Sequence, residues 1–243
     1  MRITKAMIYA NYGIEYKSGK INTPIGWMPE LLKKGNSKTG EKVRTWSMNQ
    51  TTCPCHCAGC YADSGCYNFA GVKESLRRNT VLAREHLDFV NRAIRAQLET
   101  FPAGTEIRIH AVGDFFSGEY LVMWHEIAKD FPNLIFWTYT KVRAFENAFS
   151  DLDNANIVKS IVPGFGFNFG HCDHVIDMYN ALVKLGVKVH ICRCGIDPDQ
   201  HCAGCHKCSE CEYVLFVEHS TDYVATEDPR YQELVDLVEH QEF

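Results

Sequence analysis

EIRIHAV, residues 106–112, alternates with a period of two: Ile107, Ile109 and Ala111 fall on one side, and Glu106, Arg108 and His110 on the other. Two is the period of a β-strand, whose successive side chains leave opposite faces. A parallel strand covered by helices on both faces reads instead as a nearly continuous apolar run, so one face of this strand is polar. VKVHIC, residues 187–192, repeats the pattern, with Val187, Val189 and Ile191 set against Lys188, His190 and Cys192. Covering helices need the apolar set. Arg108, His110, Lys188, His190 and Cys192 are therefore expected inside a barrel, the alternative being the wet face of an edge strand.

The neighbouring segments extend this into a regular alternation. KVRTWSMN (Lys42 to Asn49) reads as a first strand, and a helical pattern runs from about Val72 through Leu98. Further strands are expected at Glu106 to Val112, Leu134 to Thr140, Ile157 to Val162, Val187 to Cys192 and Tyr213 to Val217. The helices between and after them are expected at Glu119 to Lys129, Ala144 to Leu152, Asp173 to Leu185 and Tyr231 to Glu239. Six strand–helix units predict an α/β fold with a parallel sheet, open or partly closed into a barrel. At 243 residues, the chain reads as a single domain, residues 1–243. The formal net charge of −5 gives no broad electrostatic footprint for nucleic acid. No apolar run approaches the ~20 residues that span a bilayer, and MRITKAMIYANYG carries no secretory pattern. Those features predict a cytoplasmic protein, whose clustered thiols serve metals or catalysis more often than disulfides.

The 12 cysteines fall into two groups. TTCPCHCAGCYADSGCY (Thr51 to Tyr67) holds Cys53, Cys55, Cys57, Cys60 and Cys66; the second group is Cys192, Cys194, Cys202, Cys205, Cys208 and Cys211, with Cys172 alone between them as a buried hydrophobe. Thiolates two or three residues apart converge on one metal from a single loop. Cys202-x2-Cys205-x2-Cys208-x2-Cys211 follows the ferredoxin spacing for a [4Fe–4S] cluster, whereas zinc takes two separated pairs. Cys53-x3-Cys57-x2-Cys60 is asymmetric, and three ligands leave a fourth iron open to substrate or cofactor.

With that triplet after the first of six strands, the chain resembles the radical S-adenosylmethionine (SAM) superfamily. More narrowly, CYADSGCYNFAGVKESLRRN, IRIHAVGDFFSGEYLVMWHEIAKDFPNLIFWTYTK and the later cysteine run resemble the gene product 88 family of phages and bacteria. The resemblance implies a partial (βα)6 barrel with a cysteine-rich insert after the fifth strand, at about residues 192–211. It implies Cys53, Cys57 and Cys60 as ligands of a [4Fe–4S] cluster at which SAM is reductively cleaved. Gly113 and Asp114 would hold the methionine amine, Ser160 a polar contact to SAM, and Val217 to His219 the adenine. An electron donor such as a ferredoxin or flavodoxin is implied as partner.

A second, auxiliary [4Fe–4S] centre is assigned to Cys202, Cys205 and Cys208, with Cys192 as preferred fourth ligand and Cys194 and Cys211 as alternatives. Both centres are expected on the rim formed by the carboxyl ends of the strands. Tyr139 and Lys141, ending the third strand, are candidates for substrate contact, or else a packed aromatic and a surface charge. VPGFGFNFG (Val162 to Gly170) misses the dinucleotide-binding spacing and reads as a loop. Two other functions compete: an iron–sulfur electron carrier or enzyme that does not use SAM, and a zinc-stabilised binding module.

Overall fold

The computed structural model describes residues 20–21, 28–35, 42–53, 69–193, 196, 205–218 and 224–241. Two short strands, β1 (Lys20–Ile21) and β2 (Met28–Pro29), pair antiparallel. The central sheet runs in the order β3 (Lys33–Lys34), β4 (Val43–Trp46), β5 (Glu106–Ile109), β6 (Ile135–Thr140) and β7 (Ala155–Lys159). β4 to β7 are parallel, and β3 borders β4 antiparallel. After β7 come the hairpin β8 (Ile161–Val162) and β9 (Gly166–Phe167), then β10 (Phe169–Gly170), β11 (Val189–Ile191) and β12 (Tyr213–Val217).

Five α-helices occur among the described residues: α1 (Ala70–Glu85), α2 (Leu87–Leu98), α3 (Gly118–Asp130), α4 (Cys172–Lys184) and α5 (Tyr231–His240). None is long and apolar enough to cross a membrane. The single helical region expected from Val72 to Leu98 is two helices, broken at His86, whose φ of −142° and ψ of 50° are not helical. The helix expected from Ala144 to Leu152 is a 3-10 turn at Arg143–Phe145 followed by turns. Its bonds run three residues back, from Ala148 to Phe145, Ser150 to Asn147 and Leu152 to Phe149. Asn147, Ser150 and Asp151 favour such local bonding over a continuous helix.

The alternating pattern sorts the two faces of the sheet. Ile107, Ile109, Phe136 and Ile157 enter one core with Ile94 and Leu98 of α2 and Trp124 and Ile127 of α3. Val189, Ile191, Leu215 and Val217 enter another with Val175 and Ile176 of α4 and Leu234 and Val238 of α5. Both apolar sets thus lie under helices, each large side chain contributing ~1.5–3 kcal/mol on burial. Glu106, Arg108, Trp137, Tyr139, Asn156, Val158 and His190 belong to the opposite strand parity, on what we call the inner face.

His110 departs from that expectation. It follows β5 with a φ of 67°, and its ring joins the helix side, next to Phe115 and Tyr120. Lys188 is exposed.

The order of the last strands is not sequential. β12 lies between β10 and β11, all three parallel. The Lys159 N–H donates to the Glu212 carbonyl at 2.8 Å, and Asn168 bridges Ser160 to Phe216 through backbone bonds of 3.1 and 2.9 Å. β12 therefore follows β7, and β11 lies beyond it, whereas a sequential six-stranded barrel places the fifth strand beside the fourth. Among the described residues no strand pairing closes the sheet on itself.

Candidate functional site

The carboxyl end of β4 runs into the first cysteine segment. The Asn49 side chain caps a 3-10 turn at Gln50–Thr52 by accepting from the Thr51 N–H, and Cys53 closes the turn with its N–H on the Gln50 carbonyl. The loop that follows β5 is pressed against this turn. Met48 donates its N–H to the Val112 carbonyl at 3.0 Å, and Asp114 donates its N–H to Thr52 Oγ1 at 3.3 Å. Gly113 has a φ of 92°, and a Cβ there would lie 2.7 Å from Thr52 Oγ1. Glycine alone permits both the backbone angle and the approach.

Asp114 is 5% exposed. Its carboxylate accepts from the Phe115 N–H at 2.8 Å, from the Thr140 hydroxyl at 3.0 Å and from the Lys141 N–H at 3.4 Å. Burial pushes its pKa up to about 6, although these three donors oppose the shift. Ser160 is buried one strand further on, its N–H bonded to the Thr140 carbonyl at 2.9 Å. The rim thus aligns Cys53, Asp114, Thr140 and Ser160 across the ends of four adjacent strands. Lys141 extends from the same rim, with Nζ 4.9 Å from the Phe167 ring centre.

The second cysteine segment lies elsewhere. Cys205 to Cys211 runs directly into the amino end of β12 and crosses the inner face instead of staying on the rim. Asn156 Nδ2 donates to the carbonyls of Cys208 at 3.0 Å and Cys211 at 2.8 Å. His206 contacts the buried Glu106 carboxylate, which also accepts from Trp137 Nε1 at 3.0 Å. Tyr139 is accordingly an inner-face residue, its hydroxyl 3.0 Å from Cys208 Sγ. Cys192 and Cys211 pack with Val158 and Val214, and Tyr139, Cys208 and Phe216 pack against that cluster. Cys205 Sγ is 3.9 Å from His190 Nε2. Burial pushes the thiols of Cys208 and Cys211 up to about 11 and holds His190 down at about 4.

Among the described residues no group of three or more His, Cys, Asp or Glu side chains is placed to hold a metal ion. Cys55, Cys57, Cys60, Cys66, Cys194, Cys202 and His219 lie outside the described residues. Of the two cysteine groups expected on one rim, the described residues are Cys53 at the rim, Cys192 after β11, and Cys205, Cys208 and Cys211 towards the inner face. At the end of β6, Tyr139 meets Cys208 on the inner face, and Thr140 meets Asp114 at the rim. Sequence reasoning missed the residues that seat the second segment. Glu106 carried a signal, as an acid on the polar side of an alternating strand; Asn156 carried none.

The family model "Gene product 88" matches residues 28–164. A "Gene 88 protein" of Mycobacterium phage D29 is 33% identical over 79 residues, covering 27% of this chain and 32% of the relative. A "Gene 88 protein" of Mycobacterium phage L5 is 47% identical over 36 residues, 15% of each. The chain thus spans at most about a third of the length of the curated relatives it matches, and no solved structure matches it. Because the family model spans more than half of the chain, the protein belongs to the gene product 88 family.

Proposed function

We propose that the chain is an iron–sulfur protein of radical SAM type, with Cys53, Cys57 and Cys60 holding a [4Fe–4S] cluster and Asp114 holding the amine of SAM. The observation that carries this reading is the Asp114–Thr52 bond, by which the backbone N–H of a residue with a buried carboxylate is held to the residue that precedes the first cysteine of the triplet. The carboxylate also fits an ammonium. Burial raises its pKa, and a cation brought beside it would restore the ionised form. When bound, such a cluster supplies the electron for SAM cleavage.

The chain's own residues do the rest. Thr140 and Lys141 orient the Asp114 carboxylate, Gly113 admits the Thr52 contact, and Ser160 supplies a further polar group beside Thr140. Cys202, Cys205 and Cys208, with Cys192 as preferred fourth ligand and Cys194 or Cys211 as alternative, would hold the auxiliary [4Fe–4S] centre, beside the anchors Asn156 and Glu106. The one-sided helix layer, with the thiols on the opposite face, supports a barrel-type scaffold in which the last two strands have exchanged places. An electron donor of ferredoxin or flavodoxin type would complete the system, and the substrate would enter on the inner face near Tyr139 and Lys141.

The test is anaerobic reconstitution, iron and sulfide analysis, and SAM binding to wild type and Asp114→Asn. The Asn side chain keeps the bonds to Phe115 and Thr140 but removes the charge. SAM affinity should fall about tenfold or more, as for a lost hydrogen bond to a charged group of ~1.5–3 kcal/mol, with iron content unchanged. Equal SAM affinity in the two proteins would refute the role of Asp114. Stoichiometric zinc without sulfide would leave the binding module standing.

A further inference from the structure

Aromatic rings line the inner face in a row of two groups linked by a strand pairing, and most of them have no part in the chemistry above. Trp137 and Tyr139 meet edge to face with centroids 5.9 Å apart, and Tyr139 lies 6.0 Å from Phe216. Phe216 is the register partner of Phe169 in the β10–β12 pair, so the two side chains leave the sheet on the same face. Phe169 in turn stacks on Phe167, with centroids 5.8 Å apart and planes 11° from parallel. A cation stands at each end: Lys141 Nζ is 4.9 Å from the Phe167 centre, and the Arg108 guanidinium is 5.2 Å from Trp137 and 5.8 Å from Tyr139.

Phe169 is the open member of the row, at 40% exposure. The Val162 to Gly170 loop that presents it is the glycine- and phenylalanine-rich segment VPGFGFNFG. Aromatic faces attract cations, but Lys141 and Arg108 would repel a further one. A flat ring stacking offset on Phe169 meets no such penalty, and an anionic substituent on it gains from Lys141.

We propose that this row is a binding platform for a planar heteroaromatic ring carrying an anionic group, a nucleotide in chemical class. Phe169 is the stacking face and Lys141 the anion partner. The platform adjoins but does not include Asp114, whose carboxylate accepts from the Lys141 N–H, and it stands whether or not the thiols hold clusters.

Calorimetry on the full, reconstituted chain tests it, with adenosine 5′-monophosphate, adenosine and inorganic phosphate as probes, each with and without saturating SAM. The monophosphate should bind more tightly than adenosine, and phosphate least. Phe169→Leu, which keeps an apolar side chain but no π-face, should weaken both adenosine and its monophosphate about tenfold, as expected for a lost base–aromatic stack. Lys141→Gln should abolish the preference for the monophosphate over adenosine. Absence of monophosphate binding, equal binding in Phe169→Leu and wild type, or displacement of the monophosphate by SAM would each overturn the proposal. Monophosphate binding in a protein that binds no SAM would overturn the radical SAM reading alone.

Discussion

Gly113 occupies the tightest contact of the rim, and its substitution tests how firmly the cysteine turn is held. In Gly113→Ala the new Cβ collides with Thr52 Oγ1 at 2.7 Å while the backbone keeps a φ of 92°. Strain of this kind costs on the order of 1–3 kcal/mol, so the urea midpoint should drop while Gly118→Ala, where a Cβ meets nothing within 4 Å, leaves it nearly unchanged. His110 should govern acid stability. Trp46 Nε1 donates to the Tyr120 oxygen at 2.7 Å, which leaves the Tyr120 hydroxyl hydrogen for His110 Nε2 at 2.9 Å. Burial lowers the His110 pKa from 6.5 to about 3, with the Arg108 charge adding to the shift. The unfolded chain therefore binds a proton that the fold refuses. Stability is fully present above pH 6.5 and is lost as pH falls towards 3, at ~1.4 kcal/mol per unit of pKa difference. His110→Asn tolerates the positive φ and should flatten the decline between pH 6.5 and 4.5 in denaturant titrations. Part of the slope should persist, because His190 is lowered in the same direction.

At the level of elements, the cysteine segment before β12 hangs on two anchors from the inner face, Asn156 and Glu106. Asn156→Ala removes both bonds to the carbonyls of Cys208 and Cys211. At ~1 kcal/mol per bond, thiol reagents should label Cys208 and Cys211 in the metal-free chain about tenfold faster or more, which peptide mapping would read. Unchanged labelling would mean that the Glu106 anchor and packing against Val158 and Val214 suffice to hold the segment. Strands with a clean period were legible in the sequence. Tyr213–Val217 has the expected bounds, and β5, β6 and β11 lie within the expected stretches. Helices were legible where an apolar stripe was sustained, as in α3 and α4, and not where Asn and Ser offered the backbone local alternatives, as after Phe145. The adjacency of β7 and β12 could not be read, because period two gives the face of a strand but not its neighbour. In the site, Cys53 was singled out by spacing and Asp114 by the family resemblance, whereas the route of the second cysteine segment depends on contacts from Asn156 and Glu106 that no spacing announces.

For the whole molecule, the two-centre reading predicts about eight irons after anaerobic reconstitution, the sum of two cubane clusters. Cys205→Ala should bring that to about four and remove one of two spectroscopic signals, and an unchanged iron count would exclude Cys205 as a ligand. The family match at residues 28–164 contains Cys53, Asp114 and Tyr139 but ends before the second cysteine group, so the two cysteine groups fall on either side of the family match's boundary. The bond partners on the inner face are far apart along the chain, and Glu106 and His206 are separated by 100 positions. During synthesis the ribosome therefore releases β4 to β7, with α1 to α3 packed on one side, well before the segment that covers Trp137 and Tyr139 has been made. That nascent intermediate presents an uncovered aromatic surface, and because such distant contacts close slowly, the interval before closure is when the chain is most exposed to chaperones and to aggregation.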